Sequence, residues 1–371
     1  MAFQLGNILD KRFALRALLS NDTFHTQETS IPKEHLTPEA EPHLRQQLSE
    51  IARQIVENPD SILVDTYTPE ERKKDWKGIE KKEVLDDSGE VLAIDARSRP
   101  GHKILDHHMP HFWDVTNWKG ISVKGLFTQE KVEKALLTNI QMHSTPYRSE
   151  IRRMLIMTGG LGNVTKYRAA TAKSVVSFYK AKSVFDPCIG WGGRMLGALA
   201  AGASYTGCEP DPKTAAGLRG ILGDLPSDIS KNAKILETVA EEQVKKEKKG
   251  VYDMILTSPP YFNLELYTGG PQSTNTWSTW DTWVEGWLKP VVLGCLALLK
   301  QEGTSCWSVK NFKSDKLYPL ADAVKKIHQD AGWTLNKTIV MKGSGRPGGG
   351  RIQEGKTTRE SEEETFCFKK T

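Results

Sequence analysis

The sequence predicts an α/β fold: a doubly wound, mostly parallel sheet closed by a terminal antiparallel hairpin, behind a mainly helical N-terminal region. Three observations carry this. From residue 160 onward, short apolar runs alternate with segments of helical period. The first two of those runs each end in an acid, with a glycine-rich turn and a helix between them, as at the carboxyl edge of a parallel sheet. The last two runs follow each other with no helix between, which fits an antiparallel hairpin at one edge.

The elements follow in order. "PHLRQQLSEIARQIVENP" (42–59) spaces Leu44, Leu48, Ile51 and Ile55 for one helical face and stops at Pro59. "TQEKVEKALLTNIQMH" (128–143) is a second helix, and the polar stretch between the two carries Trp76, Trp113 and Trp118. "NVTKYRAATAKSVVSFYK" reads as an approach loop and an amphipathic helix. The sheet then begins: strand "SVFDP", helix "GRMLGALAAGA", strand "SYTGCEP", helix "KTAAGLRGILGDL", and strands "AKILE" and "YDMILTS". "AEEQVKKEKKG" before the fourth strand reads as a solvated helix end or loop. "TWVEGWLKPVVLGCLALL" reads as one long helix, "GTSCWSVKNF" as the fifth strand and "LYPLADAVKKIHQDAG" as a helix with His328 on its surface. "WTLNKTIVMK" and "EETFCFKK" form the hairpin. The expected division is residues 1–150, a candidate nucleic-acid recognition region, and residues 151–371, the sheet domain.

Composition narrows the class. The chain has 371 residues, 38% of them hydrophobic, with ten tryptophans, enough for a large core. A net charge of +5 permits a polyanionic partner without requiring one. Five scattered cysteines (188, 208, 295, 306 and 367) show no Cys-x-x-Cys spacing and read as reduced core thiols. No stretch is long and apolar enough for a membrane span, and Asp10, Lys11 and Arg12 interrupt any apolar core at the N-terminus. A soluble cytoplasmic protein is expected.

"VFDPCIGWGGRMLGALAAGASYTGCEPDP" holds one half of a site. A strand ends at Asp186 and Pro187, and the turn contains Gly190, Gly192 and Gly193, which let the backbone approach a ligand closely. The next strand ends at Glu209, 23 residues on, placed to bond the hydroxyls of a ribose. The glycines do not follow the G-x-G-x-x-G spacing of dinucleotide sites. An acid pointing into the turn repels pyrophosphate and suits a cationic amino-acid moiety, which favours S-adenosylmethionine. Ahead of the helix, Lys166 and Arg168 stand either to meet a cofactor carboxylate or as plain surface cations.

"TSPPYF" holds the other half. Pro259 and Pro260 cannot continue a central strand, but they fix a rigid edge beyond it. In a doubly wound sheet this edge opens into the same crevice as the Asp186 turn. The Ser258 hydroxyl and the Pro259 carbonyl supply two acceptors for the two N–H protons of an exocyclic base amine, turning its lone pair toward a methyl donor. Tyr261 offers a face on which an extruded base can stack. Phe262 and Lys310, the latter at the end of strand five, are candidate substrate contacts.

"DPCIGWGGR", "CEPDP" and "TSPPYF", in this order, resemble the S-adenosylmethionine-dependent DNA amino-methyltransferases over roughly residues 160–370. The lead-in "NVTKYRAATAK" and "YPLADAVKKI" are similar to phage-encoded DNA methylases. The resemblance implies a Rossmann-like methyltransferase sheet, with Asp186, Gly190, Gly192 and Glu209 at the cofactor and Ser258 to Tyr261 at the target base. Serine in the first motif position leans toward cytosine, and aspartate or asparagine toward adenine. The turn Cys188-Ile189-Gly190-Trp191 departs from the smaller or Phe-containing turn usual in the family. The resemblance also leaves room for a cognate restriction endonuclease or a phage–host setting.

Other features weigh less. His102, His107, His108 and His111, with Asp106, lie in "GHKILDHHMPHFWD" but lack a cysteine partner or a second cluster, so no metal is expected and the segment reads as a loop. Trp277, Trp280 and Trp283 read as core rather than stacking platforms. The glycine-rich stretch at 342–360 is either a loop that closes over DNA backbone or a plain hairpin tip. Two other functions remain open: an RNA or tRNA base amine methyltransferase, and a non-catalytic nucleic-acid-binding subunit.

Overall fold

The computed structural model describes residues 41–81, 85–86, 92–95, 99–141, 148–159, 161, 165–267, 271–342 and 364–371. The N-terminal 40 residues and the glycine-rich stretch from 343 lie outside the described residues. Two compact units emerge: one runs to Asp65 and resumes over Pro110–Val164, and the other comprises Thr66–Met109 and Thr165–Thr371. Residues 66–109 thus belong with the sheet, whereas the division at residue 150 sets them with the N-terminal region.

The first unit is helical. Helix α1 (Glu41–Glu57) buries Leu48, Ile51 and Ile55, spaced as one face requires. It packs in one core with Val132 and Leu136, on the helix predicted over 128–143, and with Ile151 and Leu155 further on. Arg152 closes the exit of the short turn Asp60–Leu63 by donating to the Ile62 and Leu63 carbonyls, and it pairs with Asp65 at 2.6 Å.

The second unit begins with α2 (Pro69–Lys81), β1 (Leu85–Asp86), β2 (Leu92–Asp95) and α3 (His102–His108). The histidine-rich segment read as a loop is therefore largely a helix. His107 Nδ1 accepts from the Tyr67 amide at 3.2 Å, and His108 meets Asp224 at 2.5 Å. Among the described residues no group of His, Cys, Asp and Glu is placed to hold a metal. Two helices of the first unit come next in the chain, α4 (Gln129–Gln141) and α5 (Arg148–Thr158).

The sheet then alternates with helices: α6 (Ala169–Phe178), β3 (Ser183–Asp186), α7 (Gly193–Ala200), β4 (Ser204–Cys208), α8 (Pro212–Gly223), β5 (Ala233–Leu236), α9 (Ala240–Lys246) and β6 (Tyr252–Thr257). Asp211 starts α8 by accepting from the Thr214 amide at 3.0 Å, with Pro212 at the first helical position where its missing amide costs nothing. After β6 come α10 (Lys289–Leu298), β7 (Leu299–Val309), α11 (Leu320–Asp330), β8 (Trp333–Lys342) and β9 (Glu364–Lys370).

The nine strands lie in the order β1-β2-β8-β9-β7-β6-β3-β4-β5. The run from β7 through β6, β3 and β4 to β5 is parallel, as the alternation predicts. β9 runs antiparallel between β7 and β8. The final pair is therefore a hairpin, but it does not end the sheet. β2 adds in parallel outside β8, pairing Leu92 with Ile339 and Asp95 with Lys342, and β1 lies beyond it. Strands of two and four residues are too short to show a period, so no local pattern announces them.

Two further expectations are corrected. The predicted long helix is broken into a turn at Trp280–Trp283, a π-helical turn at Val284–Leu288, and α10. Pro290 brings no amide to bond back along the helix, and wider turns precede it. Trp283 and Trp287 stack at 5.0 Å between ring centres in the main core, and Trp277 and Trp280 pack against it partly buried. His328 is wholly buried instead of on the surface. It lies on the inner face of α11 with Leu320, Val324 and Ile327, stacks on Phe368 at 3.9 Å and meets the Ser305 hydroxyl at 3.0 Å.

Candidate active site

The carboxyl ends of β3, β4, β6 and β7 form one edge, and the residues singled out in the sequence gather there because parallel strands deliver their ends to the same side. At its centre is Asp186, fully buried. One carboxylate oxygen accepts from the Cys188 amide at 3.0 Å and from the Thr257 hydroxyl at 2.7 Å. The other accepts from Arg194 Nε and from the Tyr205 hydroxyl, each at 2.7 Å. Its acceptor capacity is thus used inside the protein. The expectation that Asp186 points into the turn toward a ligand is corrected: it is the post on which the turn is built.

Arg194 completes that post from the first turn of α7. Its guanidinium also donates to the Cys188 and Ile189 carbonyls and lies over the Tyr167 ring. Sequence reasoning misses Arg194, although an arginine directly after a glycine pair and eight residues beyond an acid is the available signal. Pro187 is buried beside it.

The glycines divide by role. Gly193 abuts the Tyr167 carbonyl so closely that a Cβ would stand 1.9 Å from that oxygen, so only glycine lets α7 start here. Gly192, at φ +87°, caps the helix against Leu218. Gly190, at φ +57°, differs: a Cβ there would meet nothing within 4 Å, so its outer side is open.

Glu209 sits across this opening, at the end of β4. Its two oxygens accept from the Gly190 amide at 3.1 Å and the Asp211 amide at 3.0 Å. Burial pushes its carboxyl up to about 7 against those stabilising amides. A carboxylate has about four acceptor positions, so two remain for a ligand. An open glycine edge beside a buried acid with spare acceptors fits the vicinal hydroxyls of a nucleoside.

Lys166 is buried, and its ammonium meets Asp106 on α3 at 2.7 Å. It is therefore not a surface cation, and its charge is matched by an acid 60 residues earlier in the chain. Nearby, His102 is held neutral, pushed down to about 4 chiefly by burial.

The second motif leaves β6 at Thr257. Pro259 is buried, and Ser258, Pro260 and Tyr261 are half-buried at the edge. The Tyr261 hydroxyl accepts from the Lys310 amide at 3.1 Å, which ties the end of β6 to the end of β7. Lys310 keeps its side chain exposed. Phe262 is corrected from a substrate contact to a core residue: its ring is buried among Trp280, Trp283 and Tyr318, and its backbone takes φ +41°, uncommon for a non-glycine residue. Further on, Tyr267 lies 6.0 Å from Trp191 of the glycine turn, ring centre to ring centre. The two motifs therefore touch through both Asp186–Thr257 and Trp191–Tyr267.

Residues 252–371 match the family model described as DNA methylase. The match starts at the first residue of β6, so it takes in Ser258 to Tyr261 and Lys310 but not the glycine turn. Among solved structures, the chain is similar to TrmN from Thermus thermophilus, at 18% identity and a TM-score of 0.36 over 55% of this chain and 49% of that one. It thus spans about half the length of that protein. It is also similar to the glycopeptide N-methyltransferase MtfA complexed with S-adenosyl-L-methionine, at 10% identity and a TM-score of 0.38 over 58% of this chain and 99% of that one. A third is magnesium protoporphyrin IX methyltransferase from Synechocystis PCC 6803 with bound SAM, at 11% identity and a TM-score of 0.35 over 57% of this chain and 87% of that one. No curated protein matches the chain. Among the described residues no helix is long and apolar enough to cross a membrane.

Proposed function

We propose that this chain is a DNA methyltransferase acting on the exocyclic amine of cytosine, or else adenine, with S-adenosylmethionine as cofactor. The observation that carries the reading is the junction of the two motifs at one sheet edge. Asp186 is bonded to Thr257, which precedes Ser258 in the segment, 252–371, that matches the DNA methylase family model.

Bound S-adenosylmethionine supplies the methyl group. Glu209 takes the ribose hydroxyls on its two spare acceptor positions, and Gly190 leaves room for the ligand to lie against the backbone. Trp191 and Tyr267 wall the site with aromatic faces. The Ser258 hydroxyl and the Pro259 carbonyl accept the amine's two N–H protons, and Tyr261 stacks on the extruded base. Neither acceptor needs to be a strong base, since the chemistry depends on position. That suits a motif whose prolines and tethers hold it still.

The test is methyl transfer from labelled S-adenosylmethionine to duplex DNA, with nucleoside digestion and mass spectrometry. A methylated cytosine or adenine amine is expected. Transfer to structured RNA but not to DNA would keep the chemistry and replace the substrate. Transfer to neither would overturn the reading.

A further inference from the structure

Immediately after β7 the chain makes a small hairpin, residues 310–318, that the proposed chemistry leaves largely unused. Phe312 pairs with Tyr318 and Lys313 with Leu317 across its two short strands. Strand alternation gives the hairpin two faces. Phe312 and Tyr318 are buried and stack at 5.2 Å, with Phe312 against Tyr261 and Tyr318 against Phe262. Lys313 and Leu317 are on the other face, and Leu317 is 67% exposed, the most of any large apolar side chain described. Lys310 and Lys316 are exposed as well.

The hairpin is fastened to the catalytic turn. The Lys310 amide donates to Tyr261, and Asn263 donates to Asp315 at 3.0 Å while accepting from Ser314 at 2.8 Å. Asp315, the sole acid in 310–317, also accepts from Tyr318 and the Ser314 hydroxyl, so it is engaged by neutral donors of the hairpin and of Asn263. None of the three lysines pairs with a carboxylate among the described residues, and Lys316 lies over the Tyr318 ring. Three cations and an exposed leucine are thus held beside Ser258 to Tyr261, with Asp315 the one acid of the hairpin and in no ion pair with them.

We infer that this hairpin is a DNA-backbone clamp: Lys313 and Lys316 contact phosphates flanking the target nucleotide, and Leu317 packs against the exposed bases or sugars. The inference rests on the proposed function and names the partner contacts of that same site. Cations without internal partners are the groups that neutralise phosphates and release counterions. An apolar side chain among them adds contact area that salt does not screen.

Fluorescence anisotropy with a labelled DNA duplex of arbitrary sequence tests it, because phosphate contacts need no recognition site. For the double variant Lys313→Ala/Lys316→Ala, the log–log salt slope should be shallower by about 0.9 for each lysine–phosphate pair removed, with affinity at moderate salt down on the order of tenfold to a hundredfold. Leu317→Ala should weaken binding with the slope unchanged. Melting temperature and S-adenosylhomocysteine affinity should match wild type in both, which separates the effect from misfolding. A wild type that binds duplex while the lysine variant keeps its slope and affinity overturns the clamp alone. A wild type that binds no DNA duplex, or binds an RNA duplex more tightly, overturns the DNA reading and the clamp with it.

Discussion

The Thr257 hydroxyl donates to the Asp186 carboxylate at 2.7 Å, joining the last residue of β6 to the last residue of β3. Thr257 is fully buried and immediately precedes Ser258, so the Ser-Pro-Pro-Tyr turn inherits its position from the post that also holds the glycine turn. One buried carboxylate thereby sets both halves of the site.

Removing that carboxylate should cost folding before it costs chemistry. Asp186→Ala leaves the buried Arg194 guanidinium without its partner, and such breaks typically cost about 3–5 kcal/mol. Denaturant unfolding should show that loss together with weakened cofactor affinity, and Asp186→Ala/Arg194→Met should regain much of the stability. A single variant of native stability with lost affinity would instead mean that Asp186 touches the ligand directly.

Tyr261→Ala should abolish methyl transfer, by about a hundredfold or more, while leaving cofactor affinity intact, since it removes the stacking face and frees the turn from Lys310. Single-turnover methylation and calorimetric cofactor binding on the same preparation decide it. Equal loss of both would make the tyrosine a scaffold residue.

Cofactor affinity should depend on pH through Glu209. Its carboxyl is raised to about 7 by burial, and only the ionised form offers all its acceptors to ribose hydroxyls. Affinity should therefore fall as pH drops below about 7 and level off above it, and the Glu209→Gln profile should be flat. The same shift makes the folded protein lose stability as pH rises from the ordinary 4.5 to about 7, because the folded state holds the proton longer. A flat wild-type binding profile would remove Glu209 from the ligand.

His328 should act in the opposite sense on stability. Burial holds it at about 4, against an ordinary 6.5, so the unfolded chain binds the proton first. Its contribution is present above 6.5 and is lost as pH falls from 6.5 to about 4, by on the order of 3 kcal/mol. His328→Gln, which keeps a polar partner for Ser305, should lack that part of the pH slope in chemical unfolding. Superimposable slopes for the two proteins would disprove it.

The sequence by itself determined the alternation of the main strands and helices from residue 160 onward, the two motifs and the edge on which they meet. Hydrophobic period marks the longer elements, and parallel topology leaves little choice about where strand ends go. Glycines and prolines announce the turns because their backbone limits are local. Only the tertiary structure decided what each polar side chain does. Asp186 reads as a ligand contact and Lys166 as either a ligand contact or a surface cation in one dimension, but the fold brings Arg194, Tyr205 and Thr257 to the first and Asp106 to the second. Phe262 reads as a substrate contact and His328 as a surface residue, but the fold encloses them in aromatic neighbours from distant segments. A buried charge or ring is defined by partners far away in sequence, and no local pattern of residues carries that information.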